Sequence, residues 1–160
     1  KQFCTSGMEH MGLEWAGRLS TDSVGERAAR LEYFAGLSRV PGVRLYGLQK
    51  GAAAGQIPDG SFSSKFKNFG EDFLDFADTA ALVENLDLVI SIDTSVAHLA
   101  GMMGKPVWVL LPHVPDWRWF LQGDDSPWYP SARLFRQRSK GAWEEVFMRM
   151  EKQLHLMVDQ

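Results

Sequence analysis

Hydrophobic positions along the chain switch between a period of two and a period near 3.6, the mark of strands alternating with helices. Short apolar runs predict strands over residues 11–16, 43–48, 86–92, 106–111 and 132–135. Ala28, Leu31, Phe34, Ala35 and Leu37 recur at helical spacing and predict a helix over 26–38, ended by Pro41 and Gly42. A short helix is predicted over 78–85 with Asp78 as its cap, and another over 94–103, closed by Gly104. The last helix is predicted over 143–158, with Val146, Met150, Leu154 and Met157 on one stripe. Residues 18–25, 49–60 and 113–130 are rich in Gly, Pro or polar side chains and read as loops. The stretch 61–76, with Phe at 62, 66, 69, 73 and 76, fits several short packed pieces. This alternation predicts an α/β fold of three layers, a mostly parallel sheet with helices on both faces. Ligands of such sheets bind beyond the carboxyl ends of the strands.

Composition narrows the function. The chain has 160 residues, of which 45% are hydrophobic and 23% charged, so it is long enough for one packed core. Its net charge of −3 removes the electrostatic basis for sequence-independent nucleic-acid binding. The one cysteine, Cys4, allows no internal disulfide. No apolar run approaches the length of a membrane span, and no signal-peptide pattern is visible. The chain opens on Lys1 and is expected to be a piece of a longer protein.

The densest chemistry lies between Ser91 and Pro106. An apolar strand runs into a helix through Asp93, Thr94 and Ser95. Such a junction aims backbone N–H groups and the positive end of the helix dipole beyond the sheet, a site suited to phosphate. Val96, Leu99, Ala100 and Met103 share the stripe expected to pack on the sheet; Thr94, His98 and Gly101 fall on the other side. The same residues also serve as an ordinary helix cap and a surface histidine, and spacing alone leaves both readings open. No G-x-G-x-x-G, G-x-S-x-G or Walker pattern is present. Lys50 is a candidate phosphate partner or a solvated loop lysine. Trp117, Trp119 and Trp128 either stack on a ligand or pin their loop to the domain. Asp124 and Asp125 read as solvated, and no metal site is expected.

The run DLVISIDTSVAHLAGMMGKPVWVLLP at 87–112 resembles glycosyltransferase family 9, the ADP-heptose:lipopolysaccharide heptosyltransferases. Further matching stretches are GLEWAG (12–17), GVRLYGLQKG (42–51), DFADTAA (75–81), PDWRW (115–119) and DSPWYPSARLFRQ (125–137). The Trp-rich loop is most similar to the bacterial tetratricopeptide-repeat proteins that end in such a domain. The resemblance departs after Gly17, where 18–27 replaces an Asn-Asp-Arg-rich loop, and at Ser95, where heptosyltransferases often carry Gly.

The resemblance implies the C-terminal, Rossmann-like half of a GT-B glycosyltransferase, with residues 1–160 forming a single nucleotide-sugar donor-binding domain. Asp93, Thr94, Ser95 and His98 would lie against the donor diphosphate, with His98 stabilising the leaving group. Gly17 and Arg18 would face the phosphates, Gln49 and Lys50 the ribose or a phosphate, and Asp78 and Thr79 the base. The donor would be an ADP- or UDP-linked sugar, heptose-like or another hexose, passed to an acceptor hydroxyl without a metal or other cofactor. Expected partners are an N-terminal half-domain and helical repeats in the same parent chain, in the cytoplasm, with peripheral membrane contact through a glycolipid acceptor. The isolated chain is expected to bind without turning over. The alternative is a non-catalytic nucleotide-binding or scaffold module attached to a tetratricopeptide-repeat protein.

Overall fold

A computed structural model describes residues 9–17, 28–56 and 60–158, with Gly60 and Ser61 described by backbone alone. Cys4 and Arg18 lie outside the described residues.

Six strands form one sheet: β1 (His10–Glu14), β2 (Arg44–Gly47), β3 (Phe66–Asn68), β4 (Leu88–Ile92), β5 (Val107–Leu111) and β6 (Ala132–Arg136). Their order is β3-β2-β1-β4-β5-β6 and every pairing is parallel. Every connection must therefore cross a face of the sheet, which buries both faces. The buried sequences LVISI and VWVLL answer to that: all ten positions of β4 and β5 are inside. Leu88, Ile90 and Ile92 point to one face with Trp108 and Leu110; Val89 points to the other with Val107, Val109 and Leu111.

The helices are α1 (Ala35–Ser38), α2 (Gly60–Ser63), α3 (Phe76–Glu84), α4 (Ser95–Met102) and α5 (Trp143–Val158). On one face, α5 packs Trp143, Val146, Phe147, Met150 and Leu154 against the sheet, together with Leu31, Phe34 and Leu37. The opposite face is covered by α3, α4 and part of the 113–130 loop, through Val83, Val96, Ala97, Ala100 and Trp119.

Three expectations need correcting. Asp75, not Asp78, caps α3: its extended backbone lets its carboxylate accept from the N–H groups of Ala77 and Asp78. Asp78 sits one turn in and accepts instead from the N–H of Leu74, at 2.7 Å. The helix expected over 26–38 is, among the described residues, a 3-10 turn (Leu31–Phe34) followed by the short α1, because Ala29 N–H is held by the Trp15 carbonyl at the end of β1. In α4 the buried residues are Val96, Ala97, Ala100 and Gly101, while Leu99 and Met103 are half-buried. Gly101 is covered because Tyr129, from the 113–130 loop, lies on it.

Candidate functional site

The sheet reverses its direction of growth at β1, with β2 on one side and β4 on the other. The carboxyl ends of β1 and β4 therefore open a crevice between diverging connections. From β1 the chain continues as Trp15, Ala16 and Gly17; from β4 it continues as Asp93, Thr94 and Ser95, directly into α4. Gly17 and Thr94 are neighbours here: a Cβ on Gly17 would stand 3.8 Å from the Thr94 methyl.

Thr94 occupies the N-cap of α4 in extended conformation, yet its side chain caps nothing. Its hydroxyl donates instead to Glu14 Oε2, and Ser91 Oγ lies 3.1 Å from the same oxygen. Glu14 ends β1 directly opposite Ser91 in register. It is buried at 8% exposure, and that burial pushes its carboxyl up to about 7, against the opposing pull of the Thr94 and Ser91 hydroxyls. The consequence at the crevice is a helix start without a side-chain cap, the kind of site that suits an anion.

His98, one turn into α4, is fixed from several directions. Its Nδ1 lies 2.9 Å from the Tyr129 hydroxyl. Its ring stacks on Trp119 at 5.3 Å and meets Tyr129 edge-on at 5.7 Å. This leaves Nε2 toward the Asp93 carboxylate, 3.6 Å away. Asp93 also faces Arg118, at 4.0 Å. These groups line a cleft of about 660 Å³ formed by Asp93, Thr94, Ser95, His98, Arg118 and Tyr129, with the indoles of Trp117 and Trp128.

The 113–130 loop that supplies the far wall is held rigidly. Trp119 is inserted into the core at 1% exposure, while Trp117, two residues before it on the same 3-10 turn, is 73% exposed. Arg136, at the end of β6, donates to the carbonyls of Trp119, Phe120 and Gly123. Phe120 there adopts φ +56, a left-handed conformation that a non-glycine residue keeps only when its surroundings hold it. Arg149 of α5 donates in turn to the Arg136 carbonyl, which ties the loop to the helical layer.

The structure thus brings Gly17, Asp93, Thr94, Ser95 and His98 to one crevice. Among the described residues, the candidates Gln49, Lys50, Asp78 and Thr79 do not line the cleft of about 660 Å³. Gln49 is buried and its amide is consumed as a clamp: Oε1 accepts from the N–H groups of Trp15 and Ala16, and Nε2 donates to the carbonyls of Ala16 and Lys50. Lys50 is exposed and donates to the Phe73 carbonyl at 2.6 Å. Asp78 and Thr79 lie in the first turn of α3, Thr79 buried with its hydroxyl toward the Asp75 carbonyl. Sequence reasoning gave no role to Glu14, Tyr129 or Arg136. Glu14 did carry a signal, being a carboxylate at an inward position of a central strand. Among the described residues, no three His, Cys, Asp or Glu side chains gather as a metal site, and no helix is long and apolar enough to cross a membrane.

The arrangement of the whole chain matches solved structures. The Escherichia coli ADP-heptose lipopolysaccharide heptosyltransferase II superposes on 98% of this chain with a TM-score of 0.66, at 15% identity. The fold is heptosyltransferase-like. The E. coli heptosyltransferase WaaC, solved with ADP-2-deoxy-2-fluoro heptose, superposes on 93% of the chain with a TM-score of 0.63, at 14% identity. The chain spans about half of each heptosyltransferase, 48% and 44% respectively. In sequence, FlbA of Caulobacter vibrioides is 37% identical over 76 residues, which are 48% of this chain and 12% of FlbA. No family model matches the sequence. A heptosyltransferase-like fold thus underlies the crevice at the β1–β4 switch point.

Proposed function

We propose that this chain is the donor-binding, C-terminal half of a family 9 type glycosyltransferase, holding the diphosphate of a nucleotide sugar at the N-terminus of α4. The observation that carries this reading is the diversion of the Thr94 hydroxyl to Glu14, which leaves the start of α4 uncapped at the switch point of the sheet. The heptosyltransferase-like fold supports it. In the reaction, an acceptor hydroxyl attacks the anomeric carbon as the bond to the diphosphate breaks. Negative charge then grows on the departing diphosphate. On this reading the start of α4, Ser95 and His98 would stabilise that charge with groups already held in place. The acceptor and its general base belong to a further half-domain of the parent protein, so this chain binds donor without transferring sugar. ADP and UDP are the candidate nucleotides, and the parent is a bacterial, cytoplasmic protein in which tetratricopeptide repeats accompany this half.

The test is calorimetric titration of the chain with ADP, UDP and GDP. One nucleotide is expected to bind saturably, with affinity lowered roughly tenfold or more in His98→Ala, by the loss of one charge-assisted hydrogen bond. A folded chain that binds none of the three overturns the donor-site reading. Sugar transfer by the isolated chain to an added acceptor overturns the division of labour.

A further inference from the structure

The cleft beside α4 is chemically mixed. The helix start and the Ser95 hydroxyl suit an anion. Beside them the Asp93 carboxylate, its side chain only 8% exposed, can accept hydrogen bonds from hydroxyls. Arg118 faces it at 4.0 Å, so an acceptor and a planar set of donors sit side by side. Two indoles complete the lining. Trp117 and Trp128 are 73% and 55% exposed, although four other tryptophans of the chain are buried. Trp128 is not a loose side chain: its Nε1 donates to the Arg118 carbonyl at 2.9 Å, which fixes the plane of the ring. The Arg136 clamp fixes the loop that carries Trp117.

We infer that Trp117 and Trp128, with Asp93 and Arg118, form a subsite for a pyranose ring. A sugar presents an apolar C–H face and a rim of vicinal hydroxyls that both donate and accept. Fixed indole faces match the first, and the Asp93–Arg118 pair matches the second. The inference rests on the donor-site reading in one respect: the ring is placed as the sugar of the nucleotide sugar, beyond a diphosphate bound at α4. An acceptor sugar has the same chemistry and is separated from it by the experiment.

The test titrates the chain with a nucleoside diphosphate and with the matching nucleotide sugars (glucose, galactose and mannose derivatives). Wild type is compared with Trp117→Ala, Trp128→Ala and Trp128→Phe, each checked for native circular dichroism. Saturation-transfer NMR with the free monosaccharides runs in parallel. The expected result is that one nucleotide sugar binds several-fold tighter than its nucleotide. The two alanine variants lose that increment while nucleotide affinity stays within twofold, and Trp128→Phe keeps part of it. Equal weakening of nucleotide and nucleotide sugar overturns the proposal, because the indoles then hold the base. An unchanged increment overturns it as well. If no nucleotide binds, the donor-site reading fails alone: saturation transfer to a monosaccharide, lost in the alanine variants, still supports a pyranose subsite, and its absence removes it. Transfer that persists under saturating nucleotide sugar places the ring on the acceptor and overturns the donor placement.

Discussion

Thr94 gives its hydroxyl to Glu14 across the β1–β4 seam, 80 residues away in sequence, rather than to the helix it begins. An N-cap threonine ordinarily stabilises its helix by about 1 kcal/mol. Here that contribution is redirected to a buried carboxyl group, which leaves the helix start open.

The burial of Glu14 makes a pH prediction with a definite sign. Its folded-state value, about 7, lies above the ordinary glutamate value of 4.5. Between these values the folded protein holds a proton that the unfolded chain has released. The contribution to stability is therefore full below pH 4.5 and is lost as pH rises through 7. The loss is of order 3 kcal/mol at about 1.4 kcal/mol per pKa unit. Glu14→Gln keeps an acceptor for Thr94 and cannot ionise. Urea unfolding at pH 5 and pH 8 should show wild type losing stability relative to Glu14→Gln by an amount of that order. Parallel profiles for the two proteins would refute the buried-carboxyl account.

The orientation of His98 depends on Tyr129, and the seat of Tyr129 depends on Gly101. A Cβ at Gly101 would stand 2.5 Å from the Tyr129 ring. Alanine in the interior of a helix normally gains about 1 kcal/mol over glycine. Here Gly101→Ala should instead cost about 1–3 kcal/mol through overpacking. Tyr129→Phe keeps the packing and removes the hydroxyl at His98 Nδ1. It should cost about 1 kcal/mol of stability and weaken nucleotide binding several-fold. Thermal unfolding and calorimetry on the two variants separate the packing effect from the orienting one.

Gln49 holds the first turn after β1 through three of the four hydrogen bonds of one buried amide, the fourth going to the Lys50 carbonyl. Gln49→Ala strands buried N–H and carbonyl groups of Trp15 and Ala16, and should lower stability by about 2–3 kcal/mol. Gly70→Ala should be at least as damaging, because a Cβ there would fall 1.8 Å from the Gln49 carbonyl oxygen and the backbone itself must move. A melting temperature within a degree of wild type for either variant would contradict the clamp.

What the sequence revealed and what it hid differ by range. The passage from β4 through Asp93, Thr94 and Ser95 into α4 was legible because strand, cap and helix follow within one short segment. The bounds of α5 matched because Val146, Met150 and Leu154 repeat at a clean helical interval. Asp75 and Asp78 are equally good caps by residue type, and only the extended backbone at Asp75 decided between them. The partners that shape the crevice were out of reach: Tyr129 meets His98 across 31 residues and Gln49 meets Trp15 across 34. Such contacts leave no periodicity. Of the tryptophans of the long loop, Trp119 is buried as a pin, while Trp117 and Trp128 stand open at the cleft.

The place of β1 in the middle of the sheet also sets an order of assembly. The chain makes β1 first, but one of its two flanking strands, β4, begins 78 residues later. Closing so long an interval is entropically slow, and parallel pairing offers no local hairpin to hasten it. Until β4 arrives, the emerging chain carries a bare apolar edge of the kind that recruits stray strands or chaperones. The Glu14–Thr94 contact, which closes the β1–β4 seam, therefore forms among the last.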